Sequence, residues 1–472
     1  MKICLSIAPT SLQAARDEIE HPHSYADLIE IRVDGLSNIN MAELLRRPRA
    51  PVIITNRISE EGGKFRGNAR EEFEILSQAA KNGAEYIDIE WKWGKSFIDR
   101  LRLEIKSCKL IISHHNMEKT PQNLKTIYNN IKKTKPDIIK IAARARTISD
   151  NIKFFDLLSL ARKDKRQLSA LCMGEYGQIS RILSGMFGSA IIYASKDDST
   201  PTAPGQISID ELQNVFHVSK LDASTNVFGL VGNPVNQSKG IYYHNAVFQK
   251  KGVNAVYVNF LADNIGSFVE KYRNLVRGLS VTMPFKKEIV SHLDEITGNA
   301  KTLGVVNTVV KHNNKLIGYN TDYMAVELLL QSISGMRKKH VVILGTGSVA
   351  KTMATAALAR GSEVTIVGRS LAKAQALATE LRCGYDVLEE LSSFPCDILM
   401  NATPSGMVSS PDRMIIPRGY LRKNMVVFDA VYAPEITPLL KQALETGCKI
   451  ITGVQFFHRQ ANLQSKLFID AI

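Results

Sequence analysis

The 472-residue sequence predicts an α/β chain: an N-terminal (β/α)8 TIM barrel, then a two-domain half made of an α/β domain and a Rossmann domain. Three observations carry that expectation. Short, β-branched apolar runs alternate with segments of helical length and pattern over the first 195 or so residues. After a polar connector, VFGLVGNPV opens a second strand-and-turn pattern. Further on, KKHVVILGTGSVAKTMATAALARGSEVTIVGRS reads as strand, glycine turn, helix and strand.

The barrel expectation rests on eight runs: ICLSIA, DLIEIRV, PVIITNR, YIDIEW, KLIISHH, DIIKIAA, QLSALCM and AIIYAS. Polar residues gather at their carboxyl ends, namely Glu30, Arg32, Arg57, Asp88, Glu90, His115 and Lys140. Side chains two apart on a strand share a face, so each close pair points into the barrel together, at the end where barrel enzymes keep their chemistry. The barrel is expected over residues 1–218. The segment DELQNVFHVSKLDAST serves as connector, the α/β domain follows over 224–330, and the Rossmann domain over 336–452. The terminal stretch FFHRQANLQSKLFIDAI is helical, and residues 454–472 are expected to pack back onto the 224–330 domain. Without internal repeats or low-complexity segments, a solenoid or a disordered tail is not expected.

Composition bounds the function. With 44% hydrophobic and 22% charged residues the chain has the balance of a folded globular protein. No stretch approaches the roughly 18 uninterrupted apolar residues of a membrane helix. MKICLSIAPT opens as a strand with no signal-peptide pattern, so the expectation is a cytoplasmic protein with no membrane role. Six scattered cysteines, with no CxxC, read as reduced thiols, and no metal site is expected. The net charge of +14 is spread along the chain without a long basic run. That distribution suits attraction of small carboxylates better than nucleic-acid binding. A monomer is favoured.

In the barrel, Lys140 sits in the otherwise apolar DIIKIAA. A buried lysine whose ammonium is disfavoured by desolvation and nearby cations attacks a ketone as the free amine. Arg32, Arg57 and Arg181 are the cations expected to crowd it; a lysine snorkelling from a strand edge is the alternative. His115 ends the preceding strand, and parity with Ser113 turns it inward, in reach of a proton α to an imine. Glu61, in the turn after Arg57, is placed to orient the imidazole. The segments EIRVD, TNRISEEGG, YIDIEW, SHHN, DIIKIA, GQISRILSGMFGSA and TAPGQIS, in this order and spacing, resemble the type I 3-dehydroquinate dehydratases over nearly the whole first half. That resemblance implies a Schiff base on Lys140, His115 as general base and acid, and Glu61 in support. Glu30, Arg32, Arg57, Arg181, Thr202 and Gln206 then line the pocket, with Arg181 binding the substrate carboxylate. Thr202 stands where the family usually has serine, and keeps the hydroxyl. A Schiff-base aldolase of the same fold is the alternative for this half.

In the second half GTGSVA has the GxGxxA form in a strand–turn–helix context. Gly345 permits the turn, Gly347 lets the backbone approach a pyrophosphate, Ala350 allows close packing, and the phosphates meet the helix amino terminus. The following strand ends in Arg369, where an NAD site would carry an acid, so NADP is the expected cofactor, with Ser370 and Lys373 beside its 2′-phosphate. Lys286 and Asp322 are a workable proton-exchanging pair for a hydride transfer. VGNPVNQSK, VTMPFK, GVVNT, YNTD, NATPSGM and AVYAPEITPLL resemble the shikimate dehydrogenase family over residues 226–472. The resemblance makes Lys286 and Asp322 the catalytic pair. It puts Asn307 and Thr282 on ring hydroxyls, Ser238 on the carboxylate, Tyr432 and Gln460 at the far side, and the loop from Asn401 through Thr403, Pro404 and Ser405 beside the nicotinamide. Two positions depart from the family pattern: Gly240 stands for the second of its paired serines and Ser280 for an asparagine. Weaker shikimate binding is expected, with Tyr242 or Tyr243 as a compensating hydroxyl. Together the halves resemble a fusion that turns 3-dehydroquinate into 3-dehydroshikimate and then shikimate. Two alternatives stay open: a non-catalytic metabolite sensor, and a second half acting on quinate with NAD.

Overall fold

Strand alternation builds the first half. In the computed structural model, which describes all residues except 22, 38, 106, 237, 394, 409–415 and 418, eight parallel strands form one sheet in the order β7-β6-β5-β4-β3-β2-β1-β8. They are β1 (Lys2–Ile7), β2 (Leu28–Arg32), β3 (Val52–Thr55), β4 (Tyr86–Glu90), β5 (Lys109–Asn116), β6 (Ile138–Arg144), β7 (Leu168–Met173) and β8 (Ile191–Ala194). The amide of Ala190 donates to Leu168 O at 2.8 Å and that of Ile191 to Ser169 Oγ at 3.0 Å, which draws the two ends of the sheet together. Odd and even positions separate cleanly, as the period of two requires. Ile29, Ile31, Ile87, Ile89, Ile112, Ile139 and Ile141 join the core shared with the surrounding helices. Cys4, Leu28, Ile53, Tyr86, Ile111, Ile138 and Tyr193 form a second, interior cluster. Residues two further along the inward face of β2, β4 and β6 are Glu30, Asp88 and Lys140, so an apolar plug underlies a polar layer at the carboxyl ends.

The chain divides into two compact units, Met1–Val276 and Arg277–Ile472. The division falls inside the segment 224–330 that the sequence suggests as one domain. Its physical reason lies in the first unit, where β9 (Asn226–Gly232) and β10 (Ala255–Leu261) pair in parallel and the helix Ile265–Tyr272 follows. The buried Tyr272 hydroxyl donates to Ile148 O, in the loop after β6, at 2.6 Å. Phe260, Phe268 and Tyr272 pack beside it, with ring centroids 4.8–5.5 Å apart and only the last two stacked.

In the second unit β11 (Val276–Val281), β13 (Thr308–His312) and β14 (Lys315–Tyr319) run antiparallel, and β12 (Glu295–Ile296) pairs in parallel with β14. A doubly wound parallel sheet follows, built from β15 (His340–Leu344), β16 (Glu363–Gly368), β17 (Gly384–Val387), β18 (Ile398–Asn401), β19 (Val426–Asp429) and β20 (Lys449–Ile451). Its order β17-β16-β15-β18-β19-β20 reverses between β15 and β18, the point at which such sheets open a crevice for ligands. The terminal helix Gly453–Ile469 starts on a capping box between Thr452 and Gln455 and packs against the helix Thr321–Gln331.

Candidate active sites

Four even-numbered strands contribute one residue each to the polar layer of the barrel: Glu30, Asp88, Lys140 and Tyr193. Lys140 Nζ donates to Glu30 Oε1 at 2.9 Å and to Asp88 Oδ2 at 2.8 Å, and lies 3.9 Å from the Tyr193 ring centroid. Glu30 is held in turn by the hydroxyls of Ser6 and Thr55. Burial works against its charge, yet Lys140 brings its carboxyl below the ordinary range. Asp88 behaves alike: against the burial penalty, Arg57 and Lys140 hold its carboxyl far below the usual range. The lysine therefore touches carboxylates, not the three arginines that the sequence suggests would crowd it. Arg57 is taken up by Asp88 and Glu90, both at 2.9 Å, and Arg32 turns to Asp34 at 2.6 and 2.8 Å.

His115 lines the site with its side chain about nine-tenths covered. Burial, then the cations Arg57 and Lys140, keep its imidazole well below the ordinary histidine value, so it is neutral at physiological pH. Its backbone N–H donates to Glu61 Oε2 at 2.8 Å, and the same oxygen lies 2.9 Å from Nδ1. Burial pushes the Glu61 carboxyl up to about 8 despite nearby Arg57. Below that pH the protonated Glu61 donates to Nδ1 and the imidazole's own proton sits on Nε2. Above it the carboxylate accepts from Nδ1–H and leaves Nε2 as a bare base.

Arg181 is 2% exposed and has no carboxylate within 4 Å among the described residues. One guanidinium nitrogen donates to Pro204 O at 3.1 Å, while Nε has no partner. Burial alone pulls its proton affinity down to a pKa of about 10. Such a cation is a ready anion site. Thr202 Oγ1 lies 2.7 Å from Ser6 Oγ, and Gln206 Oε1 accepts from Thr202 N at 2.6 Å. One cavity of about 580 Å³, counted to its open mouth, is lined by nine of the eleven barrel residues singled out from the sequence, Asp88 and Glu90 being the two outside its lining, together with Ser6 and Tyr193.

In the second unit Lys286, in the turn after β11, donates to Asp322 Oδ2 at 2.7 Å, and both are half-buried. Asp322 is the second residue of a helix capped by Asn320, whose side chain accepts from Tyr323 N. Asn307 Oδ1 accepts from Thr321 N at 2.8 Å, Thr321 Oγ1 at 3.1 Å and Thr308 Oγ1 at 2.9 Å, which leaves its amide nitrogen to meet a ligand. Thr282 is half-buried just past β11, and its carbonyl accepts from Phe285 N. Tyr432 stacks on Phe457 with centroids 5.6 Å apart. On the terminal helix Gln460 is half-buried, whereas Gln464, one turn on, is buried and donates to Asn307 O and Thr308 Oγ1. Ser280, the departure from asparagine, donates to Gln464 Oε1 at 3.1 Å.

In the first unit Ser238 Oγ accepts from Gly240 N at 3.2 Å. A Cβ at Gly240 would lie 3.3 Å from that Oγ and 3.4 Å from the Tyr257 hydroxyl. Tyr242 does not compensate for the missing serine as suggested: it is exposed, and its hydroxyl turns to Glu211 Oε1 at 3.4 Å. Tyr243 stands edge-on to His244.

The dinucleotide motif sits at the reversal point of the parallel sheet. Gly345 has φ +116°, and a Cβ there would come within 3.3 Å of Ala402 and Thr403, so the turn needs glycine. Gly347 precedes the helix Ser348–Ala359, and an added Cβ would meet only open space above the free amides of the first turn. Ala350 is buried under them. Arg369, Ser370 and Lys373 are exposed at the end of β16, and no ion pair engages the two cations among the described residues. An open cradle with spare cations fits a phosphorylated dinucleotide. Asn401 shapes the neighbouring loop: its Oδ1 accepts from Thr403 N and Oγ1, and its Nδ2 donates to Asp429 and to Ser405 O.

Three family models match: type I 3-dehydroquinase over residues 3–223, shikimate dehydrogenase substrate-binding domain over 230–309, and shikimate/quinate 5-dehydrogenase over 327–443. The chloroplastic bifunctional 3-dehydroquinate dehydratase/shikimate dehydrogenase of Arabidopsis thaliana is 34% identical, over 99% of this chain and 81% of that protein. The chain belongs to this bifunctional family. The shikimate biosynthesis protein AroDE of Chlamydia pneumoniae is 30% identical over 99% of this chain and 95% of that one. Among solved structures, a shikimate dehydrogenase in complex with NADP+ aligns over 53% of this chain and 92% of its own, at 35% identity and TM-score 0.50. Shikimate 5-dehydrogenase of Listeria monocytogenes, with shikimate and NAD, aligns over 53% and 93%, at 27% identity and TM-score 0.50.

Within this member of the bifunctional family, several site residues carry little sequence signal. Ser6 and Tyr193 differ from neighbouring strand residues only in facing inward. Asp88 and Glu90 stand out at a strand end, but nothing local assigns them to Arg57 and Lys140. Gln464 and Asp429 gain their roles through bonds to residues far away in sequence. Among the described residues no helix is long and apolar enough to cross a membrane.

Proposed function

We propose that this chain dehydrates 3-dehydroquinate to 3-dehydroshikimate in the barrel and reduces 3-dehydroshikimate to shikimate with NADPH in the second half. The carrying observation is the buried Lys140 amine in one cavity with a neutral His115 and the unpaired guanidinium of Arg181. Arg181 takes the substrate carboxylate. Lys140, once it has given up a proton to solvent, attacks the ketone as the free amine, and the resulting carbinolamine loses water to give an imine. His115, oriented by Glu61, removes the α proton. The electrons run into the imine, the β hydroxyl leaves as water with a proton returned by the imidazole, and hydrolysis frees Lys140. Glu30 and Asp88 offset the positive charge on nitrogen throughout.

In the second half Lys286 and Asp322 exchange the proton of the substrate oxygen, Asn307 and Thr282 hold ring hydroxyls, and Ser238, Tyr432 and Gln460 serve the remainder of the ring. Bound NADP supplies or accepts the hydride. Gly345, Gly347 and Ala350 form its pyrophosphate cradle; Arg369, Ser370 and Lys373 receive the 2′-phosphate; Asn401 and Thr403 set the loop beside the nicotinamide. The chain works in the cytoplasm, a reading supported by six free thiols that suit a reducing compartment, and a monomer is its proposed form.

A two-step assay tests the proposal. The purified chain is given 3-dehydroquinate and watched for the conjugated enone, then given NADPH and watched for its oxidation. Borohydride added during the first step is expected to fix substrate mass to Lys140. No enone from folded protein would defeat the barrel assignment, and an enone without NADPH oxidation would defeat the second.

A further inference from the structure

Residues 262–272, which follow β10, meet the catalytic face of the barrel within one compact unit. Two bonds at this junction matter most. The Tyr176 hydroxyl donates to Asp263 Oδ1 at 2.7 Å, and the Tyr272 hydroxyl donates to Ile148 O. Tyr176 lies in the loop between β7 and the helix Gln178–Leu183, which carries Arg181; Ile148 lies in the loop after β6, the strand of Lys140. Asn151 ties these loops together, its Nδ2 donating to Ile148 O and to Tyr176 O, both at 2.8 Å.

The tie continues into the pocket. Gly174 N donates to Pro204 O at 3.0 Å, and the same carbonyl receives the Arg181 guanidinium. Gly205 has φ +73°, and a Cβ there would lie 2.5 Å from Gly174 O, so the two loops touch backbone to backbone. A shift at Tyr176 is thus passed on to Pro204 and Arg181. On its other side Asp263 Oδ1 accepts from Asn233 Nδ2 at 3.0 Å. Asn233 directly follows β9 and opens the loop that carries Ser238.

We infer that Asp263 is a positioning residue shared by both activities, holding Arg181 of the dehydratase pocket through Tyr176 and the Ser238 loop of the dehydrogenase through Asn233. The inference rests on the two-activity reading above. Because one oxygen accepts both bonds, a ligand that reorients the Ser238 loop alters the hold on Arg181, and linkage makes the effect mutual for binding.

The test is dehydratase kinetics on the full chain with and without saturating shikimate. Asp263 is exposed, so Asp263→Ala is expected to melt like the wild type. Its KM for 3-dehydroquinate is expected to rise by about three- to tenfold with kcat held within about twofold, since the lost bond serves the carboxylate anchor and not Lys140 or His115. Asp263→Asn, which keeps an acceptor oxygen, should recover most of the loss. Tyr176→Phe should match Asp263→Ala, and the double variant should add nothing. Shikimate should shift the wild-type KM by about twofold or more and leave that of Asp263→Ala unchanged. An active wild type with an unchanged Asp263→Ala KM, an Asp263→Asn as impaired as alanine, or multiplying effects of the two single variants would overturn the inference alone. A folded wild type with no dehydratase activity would overturn the two-activity reading and this inference with it.

Discussion

Arg181 sets binding against stability, and Arg181→Met separates the two. Desolvation without a carboxylate partner lowers the guanidinium from its usual value above 12 to about 10. A depression of that size is a folding cost of about 3 kcal/mol. The direction follows from linkage: a base whose affinity falls on folding costs stability at every pH below about 10, and the cost is relieved only as pH rises beyond it. Methionine fills much of the same volume without charge. The substitution removes one hydrogen bond to Pro204 O, worth about 1 kcal/mol. It does not orphan that carbonyl, which still accepts from Gly174 N. The net expectation is a gain of about 2 kcal/mol, seen by calorimetry as a rise of roughly 5 °C in the transition of the barrel-containing unit. Loss of a charge-assisted carboxylate pair, about 3 kcal/mol, should raise KM for 3-dehydroquinate by about 100-fold in an enone-absorbance assay. A variant that melts below the wild type, or whose KM stays within about threefold, would refute the account.

Three further outcomes are expected. Lys286→Met should cut the dehydrogenase kcat by on the order of 10²- to 10³-fold while NADPH binding and the dehydratase rate persist; a normal reductase rate would remove Lys286 from the proton path. Arg369→Ser should weaken NADPH binding by roughly 10- to 100-fold in a fluorescence titration and leave NADH binding as it was. Glu72 is fully buried in the helix Ala69–Lys81, and burial, with Glu90 near it, pushes its carboxyl up to about 9. An acid raised on folding gives stability that is full below the ordinary carboxylate range and is lost as pH rises toward that value. Urea midpoints of the wild type should therefore fall relative to Glu72→Gln across that window, by on the order of 2 kcal/mol at its top, and parallel curves would refute the shift.

Period-two patterning exposed most of the barrel site, because a polar residue at an inward position of an apolar strand breaks the pattern at the residue itself; Glu30 and Lys140 are such breaks. Patterning does not reveal which groups meet. Lys140 takes its carboxylates from β2 and β4, which are not its neighbours in the sheet, so the contact depends on closure of the barrel and on register. This is why the nearby arginines looked, from sequence alone, like the lysine's surroundings. Arg181 stands on a helix, where no strand parity marks it; as a cation it is expected beside Lys140, and its role as carboxylate anchor comes from the resemblance. On the terminal helix Gln460 and Gln464 are four apart and share a face, so periodicity treats them alike, and burial distinguishes them. The division at Val276 has no compositional mark. It follows from the aromatic side chains of 260–272 and one buried hydroxyl bond.

That buried bond bears on how the protein is to be dissected. A barrel excised at residue 218 or 224, where the motifs change character, takes Tyr272 from Ile148 and Asp263 from Tyr176. The uncovered loops would face water, although Ile148 O keeps its bond from Asn151, and the excised piece would carry a wound on the rim of its own pocket. A fragment ending at Val276 keeps that rim covered. Half-proteins cut at the two places should therefore differ in more than length, and a feeble dehydratase fragment ending near 220 would report the excision and not the catalytic power of the intact enzyme.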